Sequence, residues 1–391
     1  MRILVWATTF GADLWSLVRH LDANGRHDIR VVMKEPDTFL REGVSTLFPL
    51  RAPILARRPW HHAVGLPGFR PDVTVMDNRL PLRAPSRHGF MLWHGYGWKG
   101  PQDRKEFALV HRQIRRLWGD PAAPGARFRW QCFGPHDRAH RTEVSGFHPD
   151  TCLALGAASH DHLRQPLDRQ RAQPFYPFDV VRRPTVLIAP TWHYGEIFAH
   201  WGTDAELLDR LLHHLGHRGC NVILRLHDSY RFPPEYRAFL DRMQREHPHV
   251  LLKYKDRNPD NFLDLQVADV LLSNFSSIAT LFYATGRPSI HIYPVRDADE
   301  AFLLRQYTLA GVREVEVPSA RFIWKRPPEE NGGLLARSPE EMMALLDQAL
   351  DDPDCCREPA RRFLDEHMLG ADGHACARIE QALADLVATP A

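Results

Sequence analysis

Residues 264–294 read DLQVADVLLSNFSSIATLFYATGRPSIHIYP. The run DVLLSN is short and apolar, SIATLFYATG repeats its apolar residues at helical spacing, and PSIHIYP is apolar again. Gly286 closes the helical segment and Pro288 stands just beyond it. Strand, short helix and second strand in such a span form a βαβ unit, and that unit belongs to a parallel sheet. Ser276 and Ser277 fall where the helix begins. A serine there ordinarily caps backbone amides. Two hydroxyls beside free amides and the positive end of a helix also make a place for an anion such as a pyrophosphate.

The same alternation runs outward in both directions. Upstream in this half, TVLIAPTW, NVILRLHD and VLLKYKD read as strands, with helices over Asp204 to Leu215 and Pro234 to His247. The first half repeats the pattern with RILVWA (2–7), DIRVVMK (28–34), DVTVMD (72–77), GFMLWH (89–94) and RWQCFG (129–134) as strands, and helices over Ala12 to Ala23 and Lys105 to Trp118. Between the halves, residues 165–184 carry four prolines and no period, which suits a linker. The expected division is an N-terminal Rossmann-like domain over 1–165, a linker over 166–184, a C-terminal Rossmann-like domain over 185–375 and a last helix over 376–391. Two such parallel-sheet α/β domains facing across a cleft describe a GT-B-like architecture, with ligands at the carboxyl ends of the strands.

Composition narrows the function. A net charge of +2 over 391 residues gives no general grip on nucleic acid. The six cysteines form no C-x-x-C pair, which fits free thiols in a reducing compartment. The opening MRILVWATTF has an apolar run too short for a signal peptide, so a cytoplasmic protein is expected.

A second stretch, MLWHGYGWKGP (91–101), contains Gly95-x-Gly97-x-x-Gly100. A dinucleotide turn needs an acidic residue at the end of the following strand, whereas Asp120 ends a helical stretch, and the bulky Trp98 fills a place near the would-be phosphate. The chemistry lies instead with His94, at the carboxyl end of a strand. An imidazole titrates near pH 6.5 and can take a proton from an alcohol, with Lys99 holding a nearby anion. In VILRLHD, Arg225 and His227 share one side of a strand end, where a guanidinium can fork a phosphate and an imidazole can hydrogen-bond or protonate it.

Taken in order, W-H-G-Y-G-W-K (Trp93 to Lys99), G-A-A-S-H-D-H-L (Gly156 to Leu163), A-P-T-W (Ala189 to Trp192), R-L-H-D (Arg225 to Asp228) and S-N-F-S-S (Ser273 to Ser277) resemble the motifs of the CDP-glycerol glycerophosphotransferases, which make or prime teichoic-acid-like polymers. The family shows Thr where Tyr96 stands, Pro-Arg at Ala158 and Ser159, Pro at Asp228, and Asp-Tyr at Asn274 and Phe275. The resemblance implies transfer of glycerol phosphate, or a related polyol phosphate, from a CDP-activated donor to a hydroxyl of a glycan or polymer acceptor in cell-surface or capsular polymer synthesis. CMP leaves. It implies His94 and His227 as catalytic groups; Lys99, Arg225, Ser276 and Ser277 around the donor phosphates; Thr191, Trp192 and Asn274 at the nucleotide; and Gly95 and Tyr96 at the acceptor. Its metal-independent architecture implies no metal, and no cofactor is expected.

Two alternatives stand beside this reading. One is a nucleotide-sugar glycosyltransferase of the same fold, and the other a catalytically silent nucleotide-binding or assembly protein. Three weaker signals complete the survey. Asp297-x-Asp299 imitates a metal-binding D-x-D, and His213 and His217 share a helix face as zinc ligands can, with no third ligand evident. RAPILARRPWHHAVGLPGFR (51–70) mixes arginines with Trp60 and Phe69 in the manner of a peripheral contact with an anionic membrane, where a lipid-linked acceptor would be met.

Overall fold

The computed structural model describes residues 1–93, 95–98, 107–191, 197–198, 201, 203–292, 301–308, 311–318 and 325–388. The chain divides into two compact units, one of Met1–Tyr96, Pro101–Gln165 and Leu364–Ala391, the other of Gly97–Gly100 and Pro166–Phe363. Residues 166–184, which read as a linker, thus belong to the second unit, and the chain's end returns to the first.

The first unit holds a seven-stranded sheet: β1 (Arg2–Trp6), β2 (Asp28–Met33), β3 (Ile54–Ala56), β4 (Val73–Met76), β5 (His88–Leu92), β6 (Phe128–Cys132) and β7 (Cys152–Ala154) in the order β3-β2-β1-β4-β5-β6-β7. The second holds β8 (Thr185–Ile188), β9 (Asn221–Leu226), β10 (Val250–Tyr254), β11 (Val270–Ser273) and β12 (Ser289–Ile292). A hairpin of β13 (Ala301–Thr308) and β14 (Gly311–Pro318) follows, and β15 (Leu334–Ala336) completes a six-stranded sheet ordered β10-β9-β8-β11-β12-β15. Every pairing in the two large sheets is parallel.

Because both faces of a parallel sheet are covered by helices, its central strands bury both sides, which is why they read as unbroken apolar runs. All of β4, β5, β8 and β11 is buried. Both sheets reverse strand order beside their first strand, the arrangement in which neighbouring crossovers part and leave a crevice at the strands' carboxyl ends. In the second unit that switch point lies between β8 and β11.

In the first unit the motif G-A-A-S-H-D-H-L serves as a dock for the last helix, Ala375–Ala388. Buried Asp161 accepts the amides of Ala375 and Cys376 at 3.0 and 2.7 Å, capping that helix. Gly156 has φ +85°, and a Cβ there would meet the Arg378 guanidinium at 2.9 Å. Ser159 completes the dock by donating its amide and hydroxyl to Asp13 Oδ1, both at 2.7 Å. Burial lifts the Asp13 carboxyl to about 6. Asp161→Ala therefore leaves two helix-start amides without an acceptor and is expected to cost about 1–2 kcal/mol. Asp161→Asn, which keeps a side-chain oxygen, should cost less. A urea midpoint unchanged in the Ala variant would show that the cap does not matter.

Candidate functional site

At the switch point of the second unit, two of the sequence motifs meet through named hydrogen bonds. Beyond β8, the Ala189 amide donates to the Leu272 carbonyl at 2.9 Å and the Ala189 carbonyl accepts the Ser273 hydroxyl at 2.8 Å. The Thr191 amide donates to Asn274 Oδ1. A-P-T-W and S-N-F-S-S are thereby fastened across the crevice, with Asn274 doing in the crossing what no backbone pairing does.

The turn itself rests on Phe275, which has φ +60°, a left-handed conformation costing a side-chain-bearing residue roughly 1–2 kcal/mol. Its buried ring offsets that cost. Phe275 lies 4.6 Å from the His291 ring on β12 and 5.5 Å, edge-on, from Trp98. Trp98 also packs on Phe363 at 5.2 Å, and Phe363 on Tyr283 at 5.2 Å. The Tyr283 hydroxyl shares a hydrogen bond of 2.6 Å with His291 Nε2 and accepts the Gly332 amide at 3.1 Å. Burial drives the His291 imidazole down to about 3, so the ring is neutral and adds no charge beneath the turn.

The consequence of this bend is the presentation of Ser276 and Ser277. Both are half-buried at the start of helix Ile278–Tyr283, and among the described residues neither hydroxyl makes a hydrogen bond. The Ser276 amide is held by Ser273 Oγ at 3.3 Å. Hydroxyls placed on a turn at the carboxyl edge of a parallel sheet can donate to an anion.

The R-L-H-D strand end divides its two residues. Arg225 is buried and committed inside the unit: Nη1 donates to Asp264 Oδ2 at 2.9 Å and Nη2 to the Asn258 carbonyl at 2.8 Å. Lys253 Nζ, at 2.6 Å, and the Tyr176 hydroxyl, at 2.7 Å, share Asp264. Although burial opposes ionisation of Asp264, Lys253 and Arg225 outweigh it and hold the carboxyl below its usual range. This geometry makes Arg225 a brace rather than an available phosphate fork. His227 lies just past β9, with Nδ1 accepting the Asp228 amide at 2.8 Å. Burial lowers the His227 imidazole, so it is neutral at pH 7. Asp228 is ionised, the pull of burial being overcome by His227, Lys255 and Arg231.

The glycine stretch is anchored at both described ends. Trp93 donates its amide to Gln131 on β6 at 3.2 Å and packs on Trp130 at 4.9 Å. Tyr96 is buried near Phe133 and His367 in the first unit. Trp98 belongs to the second, where its carbonyl accepts the Lys325 amide at 2.9 Å. His94, Lys99, Trp192, Asp297 and Asp299 lie outside the described residues. Lys325 escaped the sequence reading. A Cβ on Gly97 would come within 3.5 Å of its ammonium, so a cation stands beside that backbone, in a segment with no motif to mark it.

The sequence matches no protein-family model and no curated protein. Solved structures do resemble the chain. A histidine variant of the wall teichoic acid polymerase TagF matches with TM-score 0.67 and 15% identity, over 99% of this chain and 89% of that one. A TagF variant soaked with CDPG gives TM-score 0.66 at 15% identity over the same shares. UDP-GlcNAc 2-epimerase from Neisseria meningitidis, bound to UDP-GlcNAc, matches with TM-score 0.55 and 13% identity over 98% of this chain and 100% of that one. The shared feature is the fold, two parallel-sheet α/β domains of GT-B-like kind.

The neutral His291 yields a pH dependence with a definite sign. Its folded value of about 3 lies below the ordinary 6.5, so the unfolded chain binds the extra proton. Its contribution is complete above pH 6.5 and is lost as pH falls from there toward 3, at up to about 1.4 kcal/mol per pH unit. Buried Asp260, raised to about 6, works in the opposite direction, gaining stability as it protonates. Comparison with His291→Gln isolates the histidine: between pH 6.5 and 5 the parent should lose more stability than the variant. Equal slopes would remove His291 from the account.

Proposed function

We infer that the chain is a transferase that moves glycerol phosphate, or a related polyol phosphate, from a CDP-activated donor to a hydroxyl of a glycan or polymer acceptor, in the synthesis of a cell-surface polymer. The observation that carries this reading is the Thr191–Asn274 bond at the switch point, which ties the end of β8 to the turn that leads into Ser276 and Ser277, whose hydroxyls make no hydrogen bond among the described residues. Fold likeness to TagF, one of whose structures carries CDPG, supports a nucleotide donor of that class.

In this reading the donor pyrophosphate takes hydrogen bonds from Ser276 and Ser277 and charge from Lys99, with Thr191, Trp192 and Asn274 at the nucleotide. Gly95 and Tyr96 flank the acceptor. The acceptor oxygen attacks the phosphorus that bears glycerol, its proton passes to His94, and the bond to the CMP phosphate oxygen breaks. The enzyme's share is positioning and neutralisation of charge. Neutral His227 is suited to hydrogen-bonding a phosphate oxygen. Arg225 has a supporting role through Asp264. No metal enters the scheme.

A nucleotide-sugar glycosyltransferase is the second reading, favoured by likeness to the epimerase bound to UDP-GlcNAc. Product identity separates the two. With a panel of CDP-polyols and nucleotide sugars, the first reading expects CMP and a phosphodiester, and a glycoside with release of a nucleoside diphosphate would replace it. Ser277→Ala should weaken donor binding about tenfold, the size of one charge-assisted hydrogen bond. His94→Ala should leave donor affinity intact and lower kcat about 100-fold or more. Full turnover in the His94 variant at saturating substrates would end its assignment as base.

The acceptor side is proposed to meet the inner face of the cell membrane peripherally. No described helix is long and apolar enough to cross a membrane. Trp60 and Val64 are 55% and 67% exposed beside exposed Arg58, whereas Arg57 is spent on the Ala7 carbonyl at 2.9 Å. Replacing Arg58, Trp60 and Val64 together should reduce co-sedimentation with anionic vesicles, and unchanged co-sedimentation would discard the contact.

A further inference from the structure

His213 has the companion ligands that its helix alone does not supply. It lies one turn beyond Asp209 on helix Asp204–His217, the crossover that follows β8. His247 follows the next crossover helix, Pro234–Glu246, and stands just before β10. Asp209 Oδ1 is 2.9 Å from His247 Nε2 and 3.7 Å from His213 Nε2. The two imidazole rings meet edge to face with centroids 4.7 Å apart. All three candidate ligand atoms lie within 4.8 Å of one another.

The geometry points to a binding site for a divalent transition metal such as zinc, formed by Asp209, His213 and His247, that staples the two crossover helices of the second unit. Zinc held by nitrogen at about 2.0–2.1 Å in a tetrahedron sets its ligands about 3.3 Å apart, and the two measured separations straddle that edge. The ligands differ in freedom as an assembling site requires. His247 is 4% exposed and fixed by packing, while His213 is 64% exposed and can swing the remaining distance. Two imidazoles with one carboxylate select zinc, copper or nickel over magnesium and calcium, which prefer all-oxygen shells. Three protein ligands leave a fourth position for water.

Place in the fold assigns the metal a structural task. His247 precedes β10, at the amino ends of the parallel strands, whereas Ser276 and Ser277 follow β11 at the carboxyl ends. Because the two helices belong to consecutive crossovers, a shared ion ties their ends independently of the core between them. This site does not depend on the transferase reading.

The test uses the full chain, stripped with a chelator and titrated with zinc against a chromophoric competitor. The expected result is saturation at one zinc per chain, with a melting temperature raised by about 2–4 °C or more. His213→Ala changes an exposed side chain and should weaken zinc binding at least tenfold while abolishing the thermal shift; Asp209→Asn should do likewise. His136→Ala, in a separate cluster with Glu366 and His367, should change neither. Zinc affinity equal in parent and His213→Ala, loss of binding in His136→Ala alone, or no saturable binding would overturn the site.

Discussion

One left-handed residue governs the arrangement of the second unit's crevice. Phe275 bears a large side chain in a conformation that glycine would adopt freely, and the strain persists because its ring is locked among Trp98, His291 and the neighbouring aromatics. Without that bend, β11 would run on into its helix with the serines turned elsewhere. With it, Asn274 reaches Thr191 and the two serines follow, half-buried, at the start of the next helix. Packing energy from an apolar cluster is thus converted into the placement of polar groups.

Polar brackets of the same economy recur. Asp264 collects Arg225, Lys253 and Tyr176, and Asp161 collects the first amides of the last helix. Each puts a buried carboxylate where several donors converge, the condition under which a charge can be tolerated away from water. In each case the carboxylate holds separate segments of the chain together.

This explains what was legible beforehand. Ten strands stood out as apolar runs, nine of them interior strands covered on both faces and the tenth, β10, an edge strand, and the loop serines stood out because hydroxyls interrupt such runs at a defined place. The other three edge strands, β3, β7 and β15, are three residues each, too short to carry a pattern. The partners of Arg225 were hidden for a different reason: alternation along a strand tells which side a guanidinium occupies, not which carboxylate awaits it, and Asp264 comes from a helix further along the chain. The third ligand for His213 was hidden in the same way, since His247 joins it only through the packing of two crossovers. Pattern reports local structure and general polarity. Partners across the fold need the fold.

The return of Leu364–Ala391 to the first unit bears on how the chain is made. A ribosome delivers the second unit's whole sequence before it delivers the helix that closes the first. The amino-terminal sheet must therefore wait with its docking face uncovered, Asp161 still lacking the amides it will cap, while the later-made unit is free to finish ahead of it. Order of synthesis and order of completion are inverted, and the early half spends that interval exposed to misassociation and to chaperones.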